Sequence, residues 1–178
     1  LTGIWPKKVV NYKTVMSDAA SGFTSVTYPF PVIRMADLYL MYAEALNEKG
    51  EDYATVLPWI DMVRERSGLQ GVKESWDQYV GNSKYATQTG LRQIIMQERR
   101  IELAFEGHYF WDVRRWKTAT TELTQPLTGW KVRYGETDVD YYSENLVLVR
   151  DFTPKMYFWP IDIGELRKDP NLVQNYGW

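Results

Sequence analysis

The stretch RMADLYLMYAEALNEK, residues 34–49, decides how this chain folds. It contains no Gly or Pro and is rich in Ala, Leu, Met and Glu, the residues that lose least on entering a helix. Met35, Leu38, Tyr39, Leu40, Met41, Tyr42, Ala43 and Leu46 fall around nearly the whole circumference, so the expectation is a helix buried between neighbours. Gly50 stands where a helix commonly ends in a left-handed residue.

A second helix is expected over residues 53–67, with Val56, Trp59, Ile60 and Val63 on one stripe and Gly68 as its stop. Pro58 must lie in its first turn or kink it, because an interior proline removes a hydrogen bond. The link Gly50-Glu51-Asp52 is short enough to force an antiparallel hairpin. Ala43, the Gly50 turn and Ala54 fall near the small positions of a tetratricopeptide hairpin. One such hairpin does not make a solenoid, so its exposed faces call for partners.

On the N-terminal side, residues 1–31 lack helical period. Val9, Val10, Tyr12 and Val15 are strand formers, and Ser21-Gly22 reads as a turn. On the C-terminal side, residues 70–89 read as a loop with a short helix at 76–80. A helix over 91–107 follows, with Leu91, Ile94, Ile95, Ile101 and Phe105 as its apolar stripe. Gly107 interrupts it, and helix resumes to about Ala119. Beyond Thr120 the period changes. Strands are expected at 132–134 and 146–149, an extended segment at 156–159, and a short helix at 161–167 with Asp162 as N-cap. No linker or low-complexity stretch interrupts the chain, which reads as one domain over residues 1–178. The fold class is mainly α: a tetratricopeptide-like hairpin plus further helices, with short strands and long loops.

With a formal net charge of -2 and a pI near 5.5, the chain has no general field for nucleic acid or an anionic membrane. The absence of cysteine removes disulfides and thiolate metal sites. No apolar run is long enough to span a bilayer. Aromatic residues make up 15% of the chain, with 8 Trp and 13 Tyr, an excess that leans toward binding because flat rings cover sugar faces.

Glu98, Glu102 and Glu106 recur every four residues and are expected on one helix face. A glycosidase needs carboxylates on opposite sides of the scissile bond. A shared face instead suggests a structural column neutralised by arginines, with Arg99, Arg100, Arg114 and Arg115 at hand. His108 is the only histidine and no HExxH motif occurs, so no zinc site is expected, and orienting Trp111 or capping a helix is the better reading of His108. The run Trp111-Asp112-Val113-Arg114-Arg115-Trp116 reads as arginine packed between rings rather than as a nucleic-acid contact.

Four stretches, in this order and spacing, resemble the SusD/RagB family: PVIRMADLYLMYAEALNEKG (31–50), IDMVRERSGL (60–69), ERRIELAFEGHYFWDVRRWK (98–117) and YFWPIDIGELRKDPNLVQNYGW (157–178). The chain departs from the family's usual residues at Tyr109, Asp162 and Tyr176. The resemblance implies the C-terminal portion of a longer surface-exposed lipoprotein of the outer membrane, whose N-terminal part carries a lipid anchor. It implies a non-catalytic component that binds an oligosaccharide or another small nutrient and sits on a TonB-dependent, SusC-like transporter. No cofactor, metal or nucleic acid is implied. On the residues alone, a tetratricopeptide-like protein-interaction module and a glycoside hydrolase stay open as alternatives. For the ligand surface within this chain, rings on polar loops are the candidates. Trp76, Tyr79 and Tyr85 are preferred, because Gly81-Asn82-Ser83 offers little apolar sequence to bury them, and Trp130, Tyr141 and Tyr142 form a second group.

Overall fold

The structure is a computed structural model in which residues 6–16, 22–131 and 136–178 are described. The chain divides into two compact units, one spanning Lys7–Tyr109 and the other containing Phe110–Trp178. The expected turn at Ser21-Gly22 and the expected strand at 132–134 involve positions outside the described residues.

The first unit opens with a two-stranded antiparallel ribbon, β1 (Val15–Met16) and β2 (Phe23–Thr24). Helix α1 (Met35–Lys49) ends at Gly50, whose φ of 88° is the left-handed conformation that a glycine adopts without penalty. Asp52 then caps α2 (Tyr53–Arg66), its carboxylate accepting from the Ala54 N–H at 3.0 Å. Pro58 sits in the second turn of α2, where it offers no N–H to the Ala54 carbonyl. The two helices form the expected hairpin. Helix α3 (Val72–Ser75) runs into a π-helical turn at Trp76–Val80, and a 3-10 turn at Lys84–Ala86 leads to α4 (Gln88–Glu102).

The core of this unit lies where α1, α2 and α4 meet, around Leu40, Ala43, Val56, Ile60, Val63, Leu91 and Ile95. Burial on α1 is one-sided. Ala36, Leu40, Ala43 and Asn47 are buried, while Met35, Leu38, Met41 and Tyr42 are exposed, so the expected all-round burial is not met within this chain. Polar ties fasten α4 to α1, among them the ion pair of Arg92 with Glu48 at 2.5 Å. Buried Asn47 donates to the Gln88 carbonyl at 3.2 Å while the Gln88 amide donates to the Asn47 carbonyl at 2.7 Å. Near the other end, buried Arg99 pairs with Asp37 at 2.9 Å. At the start of α4, Gly90 is a place of close approach, since a Cβ there would lie 2.1 Å from the Lys84 carbonyl oxygen.

Helix α4 stops at Glu102, short of the expected end. Leu103 turns inward and is buried, Phe105 takes a φ of 65° and Gly107 one of 84°. Two left-handed residues within three positions break the helical period, and this overturns two expectations. Ile101 and Phe105 leave the apolar stripe and are 62% and 65% exposed. Glu106 leaves the helix that carries Glu98 and Glu102.

The three glutamates are met by cations from other elements. Arg64 pairs with Glu98, Arg66 with Glu102 at 2.8 Å, and Arg34 with both Glu102 and Glu106 at 2.8 Å. Lys8 adds a 2.5 Å contact to Glu106. Arg100 lies over the Tyr109 ring, 4.8 Å from its centroid. The Nδ1 of His108 lies 4.0 Å from Asp37 Oδ2.

Helix α5 (His108–Arg115) crosses the division between the units. In the second unit come α6 (Ala119–Glu122), β3 (Leu127–Trp130), α7 (Asp138–Tyr141) and β4 (Glu144–Leu148), with β3 and β4 paired antiparallel. Arg114 donates to the Met156 and Tyr157 carbonyls and lies near the rings of Phe110, Phe152 and Trp159, the expected packing of arginine among aromatics. Arg115 likewise pairs with Asp112 at 2.8 Å and covers Trp116. A 3-10 turn at Pro154–Tyr157, started by Pro154 with its preset φ, takes in Met156 and Tyr157 of the expected extended segment, while Phe158 is extended. Asp162 caps α8 (Ile163–Lys168) as the sequence predicts, accepting from the Gly164 N–H at 2.7 Å.

Two outcomes follow. Leu40→Asp should lower stability by about 2–5 kcal/mol or more, because it combines a lost apolar side chain with an unpaired buried charge; a thermal melt reads it directly. The second concerns Glu106. Burial alone would push its carboxyl up, but hydrogen bonds from Arg34 and Lys8, with the charges of both, hold it below the usual carboxylate range. A group depressed on folding stabilises the fold above its unfolded pKa, about 4.3 for Glu, and that stability is lost as pH falls through the lower folded value. Chemical denaturation at a series of pH values below about 5 should therefore show a stability slope that Glu106→Gln flattens.

Candidate functional site

Trp76 and Tyr79 fall on the π-helical turn that continues α3. A π turn closes its hydrogen bond one residue further along than an α-helix does, here from the Gly81 N–H to the Trp76 carbonyl at 2.9 Å. The extra residue widens the turn and re-aims its side chains, and such turns recur at functional sites. Gly81, with a φ of 68°, ends it.

The two rings line one groove of about 420 Å³, together with Arg64, Gly68, Leu69, Gln70, Ser75 and Val80. The volume is within the range of about 300–1,000 Å³ usual for ligand pockets. Tyr79 is 72% exposed. Trp76 is half-buried, packed against the helical core, and its indole N–H meets no acceptor among the described residues. A fixed ring beside a free one gives the groove a firm wall and an adaptable one.

Tyr85 does not share this groove. It is 5% exposed, stacks edge-to-face on Tyr53 with centroids 5.4 Å apart, and donates its hydroxyl to Asp77 at 2.8 Å. It touches a separate polar cleft of about 470 Å³ lined also by Asn47, Gly50 and Thr87. Its role in the geometry is to pin the Trp76–Val80 turn to the helices from beneath. The second group of rings packs on itself in the other unit: Trp130 on Tyr142 at 5.8 Å and Tyr141 on Tyr142 at 5.0 Å, both edge-to-face.

The polar part of the groove is built on Arg64, a residue that no local sequence pattern marks as part of a site. Its Nη1 pairs with Glu98, its Nε donates to the Gln70 carbonyl at 2.8 Å and its Nη2 to Ser75 Oγ at 3.0 Å. Only the groove-side sequence SGLQ (67–70), a Gly stop followed by polar residues, hinted at a ligand wall here. Asp61 anchors the start of α3 by accepting from the Val72 N–H at 2.7 Å; burial pushes its carboxyl up, and that hydrogen bond offsets part of the rise. Lys73 and Asp77 form an exposed pair on the outer side of the turn, each holding the other in its charged form. Among the described residues no cluster of three or more His, Asp or Glu side chains could hold a metal ion, and no helix is long and apolar enough to cross a membrane.

Comparison with known proteins places this architecture. The SusD family matches residues 1–178. SusD-like protein P25 of Formosa agariphila is 39% identical over 144 residues, which is 81% of this chain and 23% of that protein. Among solved structures, a SusD-like protein of Bacteroides fragilis (BF3747) superposes with a TM-score of 0.67 at 30% identity, covering 86% of this chain and 28% of its own. A SusD-like carbohydrate-binding protein of the same species (BF0978) gives a TM-score of 0.65 at 31% identity, covering 84% and 29%. The chain thus spans about a quarter of the length of the relatives it matches. With its four characteristic stretches, its helical hairpin and a family match over all 178 residues, this chain belongs to the SusD family.

Proposed function

We propose that this chain is the C-terminal portion of a non-catalytic glycan-binding component of a TonB-dependent uptake system, held at the outer-membrane surface by a lipid anchor. The observation that carries the reading is the Trp76–Tyr79 groove in a chain 31% identical to a carbohydrate-binding relative. Stacking on an aromatic face suits a pyranose ring, whose axial C–H groups present an apolar surface.

The carboxylates support a binding role over hydrolysis. Glu98, Glu102 and Glu106 are each engaged by cations from other elements, whereas an acid–base pair has to face a substrate across a cleft. The exposed apolar face of α1, with Met35, Leu38, Met41 and Tyr42, favours a second role in protein contact, which a partnership with a transporter or with further helices would satisfy. For the contact role, Met41→Glu should weaken co-purification of the transporter with the full-length protein while leaving glycan titration unchanged.

The direct test is titration of the full-length protein with a panel of oligosaccharides, followed by Trp fluorescence and by assay for released reducing ends. Binding without hydrolysis is expected. Tyr79→Ala and Trp76→Ala should each weaken it by about 1–3 kcal/mol, by analogy with stacking of bases on aromatic side chains. Glu102→Ala should lower the melting temperature and leave affinity intact. Hydrolysis that disappears with Glu98→Gln would replace this reading with an enzymatic one.

A further inference from the structure

We propose that the Trp76–Tyr79 groove takes an uncharged pyranose glycan and turns away glycans that carry carboxylate or sulfate groups. This rests on the glycan-binding reading and adds the class of sugar.

The argument is one of charge already spent. Among the described residues, Arg64 is the only cation lining the groove. Its side chain is 15% exposed, and three of its five N–H groups are engaged, by Glu98, the Gln70 carbonyl and Ser75 Oγ. Drawing Arg64 toward an anionic sugar would strip Glu98, itself only 13% exposed, of its partner. A carboxylate left unpaired in such a place is strongly unfavourable. An anion that left the ion pair intact would enter beside Glu98 with no net positive charge to meet it. On the outer side of the turn, Lys73 forms an exposed pair with Asp77.

What remains in the wall is neutral. Leu69 and Val80 are apolar and exposed, and Trp76 and Tyr79 offer ring faces. Exposed Gln70 carries an amide with two donors and an acceptor. That set matches sugar hydroxyls, which both donate and accept, better than it matches oxyanions, which only accept.

The test uses the full-length protein and two sets of hexasaccharides: neutral ones of glucose, mannose, galactose and xylose, and acidic ones of galacturonate, mannuronate and sulfated galactose. Calorimetry is run at about 50 mM and about 500 mM NaCl, where exposed charge–charge attraction differs greatly in range. The expected result is binding of a neutral member, with affinity changing less than about twofold between the two salts. Tyr79→Ala should weaken it about 5- to 150-fold. Tyr79 is so exposed that this variant should fold, and its melting curve checks that. An acidic member that binds, and loses affinity in Tyr79→Ala, overturns the inference and leaves the glycan reading standing. Neutral binding untouched by Tyr79→Ala also overturns it, because the ligand then sits elsewhere. Failure of every member of both sets removes the glycan reading with it.

Discussion

The first unit depends on carboxylates of α4 and of the turn that follows it being met by cations that arrive from elsewhere. Glu98 takes Arg64, Glu102 takes Arg34 and Arg66, and Glu106 takes Arg34 and Lys8. The same principle runs in reverse at Arg99, a buried cation on α4 paired with Asp37 on α1. Each pair is directional, and a buried one left half-made costs more than it would have contributed. Together with the Asn47–Gln88 exchange, these contacts define one register of α4 against α1, and apolar packing around Leu40 and Ile95 then closes over it.

Arg64 shows how that framework becomes a surface. One guanidinium holds α2 to α4 through Glu98 and holds the start of the 70–80 segment through the Gln70 carbonyl and Ser75. The groove lies over this junction. Its rings therefore sit on a base fixed by three hydrogen-bonding directions, with Tyr85 bracing the far side through Asp77. A loop that carries ligand-facing side chains is usually loosely held; here only Tyr79 and Val80, at its crest, are largely exposed apolar groups.

Local features were legible in the sequence. The two helices of the hairpin, the Gly50 stop, the short turn at Trp76 and the Asp162 cap are set by residues within a turn or so of one another. Features that depend on distant residues were not. The partners of the glutamates lie 34 to 72 residues away in the recorded contacts with Arg64, Arg66 and Arg34. The early end of α4 turns on Phe105 accepting a left-handed conformation, which no local propensity favours. Tyr85 was read as a loop ring free to meet ligand, because polar neighbours such as Asn82 and Ser83 hide the fact that the chain folds back under its own turn. Trp76 and Tyr79 stand among polar residues in the sequence, while Arg64, inside a helix, carries no local sign of lining the same groove.

Gly90 carries a consequence for how proteins of this shape can diverge. The Lys84 carbonyl, the Lys84 side chain and the Thr87 hydroxyl all lie within 2.8 Å of where a Cβ at this position would be. Any larger residue would pry the 84–86 turn from α4 and, through Tyr85 and Asp77, unseat the crest that bears Tyr79. Tyr79 itself touches little and can be exchanged at small cost to the fold. The scaffold therefore separates what can vary from what cannot: exposed side chains at the crest can be exchanged one at a time, while a single hydrogen-sized vacancy beneath it, at Gly90, keeps the crest in place.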